Sequence, residues 1–134
     1  MRVVLYIFLC FNITLLARDN CNLDVDATAK KHYNKAKRLA DDLRYSESIQ
    51  NIKKALEIQS NYPNAYFLMG RIHELKKDMD NAKFYYEKTI EVCPMHSPLV
   101  YWFLASAEME DKSFNQAKKY LNSYLEFLSL PEEN

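Results

Sequence analysis

Few residues of this chain have the types and spacing that metal binding or cofactor binding requires. The three histidines, His32, His73 and His96, are far apart, so no pair stands four residues apart on one helix face as in a zinc site. Cys93 and His96 are close together, but two ligands do not make a four-ligand site. With Gly70 as its single glycine, the chain has no glycine-rich phosphate loop. The sequence therefore predicts no metal site and no cofactor.

Paired acids at Asp41–Asp42 and Glu132–Glu133 are the remaining residues that could serve acid–base chemistry. Adjacent carboxylates on a helix point in different directions, and no apolar cleft is indicated around them. We interpret both pairs as parts of solvated faces. No serine stands in the strand-to-helix setting of a nucleophile elbow. We therefore predict a protein that is not an enzyme, with no catalytic residues and no small-molecule substrate.

Composition favours a helical protein without a nucleic-acid partner. The chain has 134 residues with one glycine and four prolines, and so few helix breakers favour an all-α fold. Its 18 basic and 18 acidic residues balance. Nucleic-acid binding needs a basic surface or stripe, whereas the lysines here occur in short pairs that suit solvated helix faces.

The first residues have the pattern of a signal peptide. Arg2 is followed by an apolar run that ends at Ala17, and Arg18 and Asp19 come directly after it. The run is too short, and too soon followed by charge, for an ordinary membrane span. We predict a cleaved signal peptide over residues 1–17 and a polar linker over 18–26, which makes the protein exported, either periplasmic or secreted. An uncleaved anchor and a buried core helix are the alternatives.

Export would place two cysteines in an oxidising compartment. Cys10 lies within the predicted signal peptide, which leaves Cys21 and Cys93 in the mature chain. These two could form a disulfide bond. Alternatively, Cys21 is a mobile thiol and Cys93 a packed one. Because two cysteines this far apart do not make a disulfide framework, the sequence favours the two separate thiols.

The elements that position all of these residues repeat along the chain. The segment 55–58 (Ala-Leu-Glu-Ile) aligns with 89–92 (Thr-Ile-Glu-Val) at a spacing of 34, and Ala82-Lys83 aligns with Ala117-Lys118 at 35. We predict three units of two helices each, at about 28–60, 63–94 and 97–129. The helices are expected at 28–42, 46–60, 64–77, 80–93, 98–111 and 114–129. Asp78, Ser97 before Pro98, and Ser113 with Gln116 are the expected helix caps.

The second unit carries the most informative residues. From Pro63 onward it has aromatic, apolar and small residues at fixed spacings: Tyr66, Met69, Gly70, His73, Ala82, Tyr86, Thr89 and Pro94. This pattern resembles the tetratricopeptide repeat (TPR), with weaker copies before and after it. The resemblance implies three helix–turn–helix repeats stacked as a right-handed α-solenoid over residues 27–130. It also implies that Gly70 and Ala82 face each other where the paired helices approach closely.

The same resemblance implies a binding surface in the concave groove of the solenoid. One equivalent position in each unit holds an aromatic ring. The position one helical turn further along holds Lys, Arg or Ser, and three other residues complete the lining of the groove. The predicted partner-binding residues are Tyr33, Lys37, Asn64, Phe67, Arg71, Glu74, Trp102, Ser106 and Met109. Such a surface suits a peptide or protein segment with apolar and acidic residues, which predicts a binding module or scaffold. The alternative is that the rings only pack between neighbouring helices.

The last predicted helix gives a second hypothesis for function. It is apolar around Leu121, Leu125 and Leu128, where a terminal repeat would need a polar face. The domain could therefore serve assembly, docking other domains or other copies of itself through this helix. A weaker resemblance supports this role: Pro63-Asn64-Ala65-Tyr66 and the ending from Tyr124 to Pro131 are similar to Bacteroidetes outer-membrane-associated proteins, whose repeats precede a β-propeller and an OmpA-like domain. That resemblance implies association with the envelope.

Overall fold

The computed structural model describes residues 23–129, which form six α-helices without a strand in that span. The predicted signal peptide at 1–17 and the first part of the predicted linker lie outside the described residues. The helices are α1 (Ala27–Asp41), α2 (Tyr45–Ile58), α3 (Pro63–Leu75), α4 (Met79–Val92), α5 (Pro98–Glu110) and α6 (Phe114–Leu128). The expected all-α class is confirmed. None of these helices is long and apolar enough to span a bilayer.

Local side-chain chemistry explains where several helices begin. Asp78 accepts from the Asn81 backbone N–H at the start of α4, and Ser97 accepts from the Leu99 N–H with Pro98 in the first turn of α5. Asp26 also caps α1, by accepting from the N–H groups of the two residues after Ala27, at 2.8 and 3.0 Å. Asp26 was predicted to be the last residue of the linker, so this cap was not expected.

The expected capping box at Ser113 is wrong. Ser113 precedes α6, but its side chain makes no cap hydrogen bond. The Gln116 backbone N–H, which a capping box would direct to the serine hydroxyl, donates to the Ser113 carbonyl at 3.0 Å instead.

The three turns inside the helix pairs share one unusual backbone geometry. Leu43, Lys77 and Lys112 have φ values of 61°, 61° and 58°, in the left-handed region. In each case the following residue donates its N–H to a carbonyl five residues earlier, as Asp78 does to His73 at 2.9 Å. This bond closes a Schellman motif, and the left-handed residue is the one at which glycine is favoured. The chain therefore carries backbone strain at three equivalent turns.

The helices pack as an ordered array. The partners α1–α2, α3–α4 and α5–α6 pack together most extensively, and α2 contacts α3 while α4 contacts α5. One cluster of buried residues joins α1, α2 and α3 around Ile52 and Met69, and a second joins α4 and α5 around Tyr86 and Leu104. The first helices α1 and α3 also contact each other. Each second helix therefore lies against the first helix of the next pair.

The close approach within the second pair differs from the prediction in its partner residue. A Cβ atom placed on Gly70 would lie 2.8 Å from two carbons of the Tyr86 ring. Gly70 is therefore small because Tyr86 lies across α3, and Ala82 is not among its nearest contacts. The Tyr86 ring stacks on Phe103 at 5.1 Å, and its hydroxyl donates to the Glu74 carboxylate at 2.6 Å. These contacts hold the ring so that it cannot move aside easily.

A mostly buried ion pair joins the second and third pairs. Glu108 on α5 stands where the repeat pattern expects an aromatic residue, and its side chain is almost fully buried. The Lys83 ammonium group on α4 lies 2.5 Å from its carboxylate. This hydrogen bond, and the charge of Glu108, raise the pKa of Lys83. The carboxylate is tolerated in the core because the lysine of the preceding helix neutralises it.

Replacing a strained turn residue tests the Schellman geometry. Lys77→Gly should raise the free energy of unfolding by about 0.5–1 kcal/mol, because glycine adopts φ near 60° without the penalty of a side chain. Thermal unfolding measures the change. The matched control is Lys76→Gly, whose φ of −79° gives glycine no advantage, and which should lower the melting temperature. Equal effects of the two substitutions would contradict the geometry.

A double substitution tests the contact between Gly70 and Tyr86. Gly70→Ala should destabilise the protein, because overpacking costs about 1–3 kcal/mol and helix propensity returns only about 1 kcal/mol. In a Tyr86→Leu background the ring is gone, and the same Gly70→Ala change should become neutral or stabilising. Urea unfolding of the wild type, the two single variants and the double variant gives the coupling free energy between residues 70 and 86. A cost of Gly70→Ala that is unchanged by Tyr86→Leu would contradict the contact.

Candidate functional site: the first-helix face

The predicted site residues lie on one face of the first helix in each pair. On α3 the predicted residues are Asn64, Phe67, Arg71 and Glu74, which are spaced by three, four and three residues. Residues with this spacing lie on one side of a helix. The corresponding residues are Lys30, Tyr33, Lys37 and Ala40 on α1, and Leu99, Trp102, Ser106 and Met109 on α5. We call these twelve positions the first-helix face.

Tyr33 is used mainly for packing. Its ring lies 5.2 Å from the ring of Tyr62, which precedes α3, and it is partly buried against the first cluster. Burial raises the pKa of Tyr33. Burial, with the neighbouring Tyr33, raises the pKa of Tyr62 to about 12. Tyr33 therefore holds α1 against the start of α3 and presents only part of its ring to solvent.

Phe67 is also engaged with the interior. Its ring is 5.9 Å from that of Tyr86 and makes an edge contact with His96 at 5.3 Å. His96 lies in the connection between α4 and α5, so this contact joins the second pair to the third. Burial lowers the pKa of His96. Phe67 is partly buried and can offer a partner only the remaining part of its ring.

Trp102 is the ring that stands out from the face. Half of its surface (50%) is exposed, and its only described ring contact is with Tyr124 at 5.8 Å. Met109 and Leu99 on the same side of α5 are exposed to a similar extent. The Ser106 hydroxyl between them donates to the Trp102 carbonyl at 3.0 Å. Because that hydroxyl is already satisfied, the outward side of α5 is effectively an apolar stripe.

The other two first helices carry the charge. Lys37 and Lys30 on α1 are exposed and form no ion pair within residues 23–129. Arg71 is exposed and lies 4.0 Å from Glu74. Glu74 accepts the short hydrogen bond from Tyr86, so its role is to hold that ring as well as to line the face. The face is therefore cationic on α1, carries Arg71 beside Glu74 on α3, and is apolar on α5.

The nine predicted residues lie at equivalent positions on the three first helices, but their rings do not form a ladder. Tyr33, Phe67 and Trp102 each contact a different aromatic neighbour and not one another. The binding role of the nine residues stays a prediction. Sequence reasoning missed Leu99 and Lys30, although both occupy the position equivalent to Asn64 and could have been found by the same alignment.

Other chemistry that the sequence raised can be placed. Within residues 23–129 no three His, Cys, Asp or Glu side chains come close enough to hold a metal ion. His73 stacks on Tyr85 at 5.4 Å, with its Nδ1 2.9 Å from the Asp78 carboxylate, so it packs within the second pair as expected. Cys93 is buried and disulfide-bonded, so the interpretation of it as a packed free thiol is wrong. Cys21, the partner that the sequence suggested, lies outside the described residues.

Comparison with known proteins agrees with this geometry. Residues 63–95, which contain α3 and α4, match the sequence profile of the tetratricopeptide repeat family. Among solved structures, one crystal structure of MamA is 24% identical to this chain, with a TM-score of 0.68, covering 76% of this chain and 60% of that one. A second MamA crystal structure is 21% identical with a TM-score of 0.67, covering 80% of this chain and 61% of that one. No curated protein matches the sequence significantly.

These matches concern one repeat and the fold. Residues 63–95 match the tetratricopeptide repeat, and the arrangement of the helix pairs is similar to that of the MamA structures. The chain spans about 60% of the length of those structures, so the likeness concerns the fold.

The contact between Phe67 and His96 predicts a pH-dependent stability. Because burial lowers the pKa of His96, the unfolded chain binds a proton more readily than the folded one. The contribution of His96 is therefore complete above the unfolded pKa of about 6.5 and is lost as the pH falls below it. Between pH 7.5 and pH 5, the free energy of unfolding in urea should fall less in His96→Leu than in the wild type. The leucine keeps an apolar contact with Phe67. A pH dependence unaltered by His96→Leu would contradict the prediction.

Proposed function

We propose that this protein is a non-enzymatic scaffold that binds a protein or peptide segment on its first-helix face. The observation that carries the proposal is the division of that face into exposed cations on α1 and α3 and an exposed apolar stripe on α5. Exposed tryptophan, methionine and arginine side chains are enriched where proteins bind one another. A partner would gain most by covering Trp102, since this ring buries a large area with little loss of side-chain freedom.

The chemistry of the face selects the kind of segment it would bind. Lys37 and Arg71 favour carboxylates on the part of the partner that lies over α1 and α3. Trp102 and Met109 favour apolar side chains on the part that lies over α5. An extended or helical peptide with acidic residues toward one end and apolar residues toward the other fits both halves.

Export is part of the proposal. Arg2, the apolar run and Ala17 support a cleaved signal peptide. The disulfide bond of Cys93 agrees with an oxidising compartment, where such bonds persist. The mature protein should begin near Arg18 and lie outside the cytoplasm, in the periplasm or the medium, with association with the envelope as the more specific expectation. N-terminal sequencing of natively expressed protein that still finds Met1 in a soluble cytosolic fraction would contradict export.

Selection from a random 12-residue peptide library displayed on phage would test the first-helix face. Enriched peptides should combine acidic with aromatic or aliphatic residues. Trp102→Ala should weaken their binding by about 1–3 kcal/mol, and Lys37→Glu should weaken it further for the acidic peptides. Phe84→Ala is the matched control, because Phe84 is an aromatic residue with 48% exposure that lies on α4, away from this face. If Phe84→Ala weakens binding as much as Trp102→Ala, the proposal fails.

A second candidate function is assembly through the last helix. Leu125 and Leu128 on α6 are 61% and 56% exposed, although α6 belongs to the packed array. Apolar side chains in adjacent turns of one helix, with no described helix against them, indicate a docking surface.

A further inference from the structure

Two of the second helices, α2 and α4, use the same positions to receive the next first helix. Ile52 and Leu56 on α2 pack in the cluster that contains α3, and Tyr86 and Ile90 on α4 pack in the cluster that contains α5. The equivalent residues of α6, at spacings of 34 and 35, are Leu121 and Leu125. Leu121 is partly exposed and Leu125 mostly exposed. The third copy of this interface therefore lacks an occupant among residues 23–129. We call Lys118, Leu121, Leu125 and Leu128 the end face.

The two occupied copies show what an occupant must present. The first helix that docks uses four equivalent positions, spaced by three, one and three residues. They are Ala65, Leu68, Met69 and Ile72 on α3, and Val100, Phe103, Leu104 and Ala107 on α5. All eight residues are apolar and are buried or partly buried. An occupant of the end face therefore needs an amphipathic helix with this apolar stripe.

The end face also specifies a charge. Lys118 on α6 is equivalent to Lys83 on α4, which neutralises Glu108 of the incoming α5. Lys118 is exposed and forms no ion pair within the described residues. Glu108 lies one residue beyond the last position of the apolar stripe of α5. An occupant with an acid at that point would reproduce the mostly buried pair.

The opposite end of the array rules out stacking of a second copy head to tail. On α1 the four docking positions hold Lys31, Asn34, Lys35 and Arg38, all of them exposed. Placing these polar and basic side chains on Leu121 and Leu125 would bury unpaired charge, and they would face Lys118 with the same sign. The occupant must therefore be a helix other than α1.

We propose that the end face binds an amphipathic helix of a partner protein, with the apolar stripe of a first helix and an acidic residue next to its last apolar position. The proposal rests on the assembly role given above as the second candidate function, and it adds the chemistry of the partner. The apolar contacts follow from two occupied copies of the same interface in the same molecule. The charge follows from one of them, α4 with α5, because the first copy has Ile49 and His73 at the positions of Lys83 and Glu108.

A synthetic helix copied from α5 is the probe. The peptide has the sequence of Pro98–Glu110, with glutamine in place of Leu99 and a hydrocarbon cross-link replacing the exposed Trp102 and Met109 side chains. The cross-link fixes the helix and lowers the entropic cost of binding. Fluorescence anisotropy with the whole 134-residue chain should show saturable binding, which Leu125→Asp abolishes and Phe84→Ala on α4 leaves unchanged. Binding that survives Leu125→Asp, or no binding at all, would overturn docking on the end face.

Exchanging the charges of Lys118 and its partner residue tests whether the bound helix carries an acidic residue at that point. Lys118→Glu should weaken binding of the peptide by about tenfold, and a peptide with Glu108→Lys should recover that affinity for the Lys118→Glu protein. Lys119→Glu is the matched control, because it makes the same charge change one residue away from the end face. If Leu125→Asp abolishes binding but charge exchange has no effect, the acidic partner is wrong while the assembly role stands.

Sedimentation equilibrium of the free protein tests whether a second copy of the chain, instead of a partner helix, covers the end face. The protein should be monomeric at the concentrations used for binding. A dimer that Leu125→Asp dissociates would show that a second copy covers the end face, and it would overturn the proposal of a partner helix.

Discussion

The array depends on one buried ring. Tyr86 lies across Gly70 on its own pair, stacks on Phe103 of the next pair and donates its hydroxyl to Glu74. Burial, together with this hydrogen bond, raises the pKa of Tyr86, so the phenol stays a donor throughout the physiological range. A phenylalanine would fill the same space but would leave the Glu74 carboxylate without this donor. The single glycine of the chain is therefore where it is because a large ring must pass between two helices.

The polar side chains buried in this core each have a hydrogen-bond partner. The Ser48 hydroxyl donates to the Ala36 carbonyl at 2.8 Å where α1 and α2 approach, and Thr89 donates to the Tyr85 carbonyl at 2.9 Å within α4. Every buried side-chain nitrogen and oxygen atom among the described residues has a hydrogen-bond partner. Glu108 is the costliest case, because a carboxylate loses more hydration than a hydroxyl does. Its pairing with Lys83 fixes the register of α5 on α4, since a shift along either helix would separate the charges.

The periodicity of the sequence was sufficient to predict the six helices, and their ends agree with the structure to within one or two residues. A spacing of 34 or 35 residues places equivalent side chains alike, so the first-helix face could be predicted as a set. Its exposure could not be predicted, because the burial of Phe67 depends on Tyr86 and on His96, which reach it from other elements. The partner of Glu108 was hidden for the same reason: Lys83 is 25 residues away in sequence and comes close only through packing of the pairs.

The two ends of the helix array differ in polarity, which the stacking of repeats alone does not require. Position by position, the outward side of α1 is basic and polar where α3 and α5 are apolar, so it offers no apolar stripe to a preceding second helix. At the other end, α6 has Leu121, Leu125 and Lys118 where α4 has Tyr86, Ile90 and Lys83 to receive its neighbour. Since stacked repeats gain stability from each interface, an apolar end face leaves part of that stability unrealised until a helix covers it. The same difference appears on the first-helix face, where charge on α1 and α3 gives way to Trp102 and Met109 on α5. Both surfaces thus become apolar toward the third pair, and a partner that covered α5 and α6 together would bury more apolar area than one bound at either surface alone.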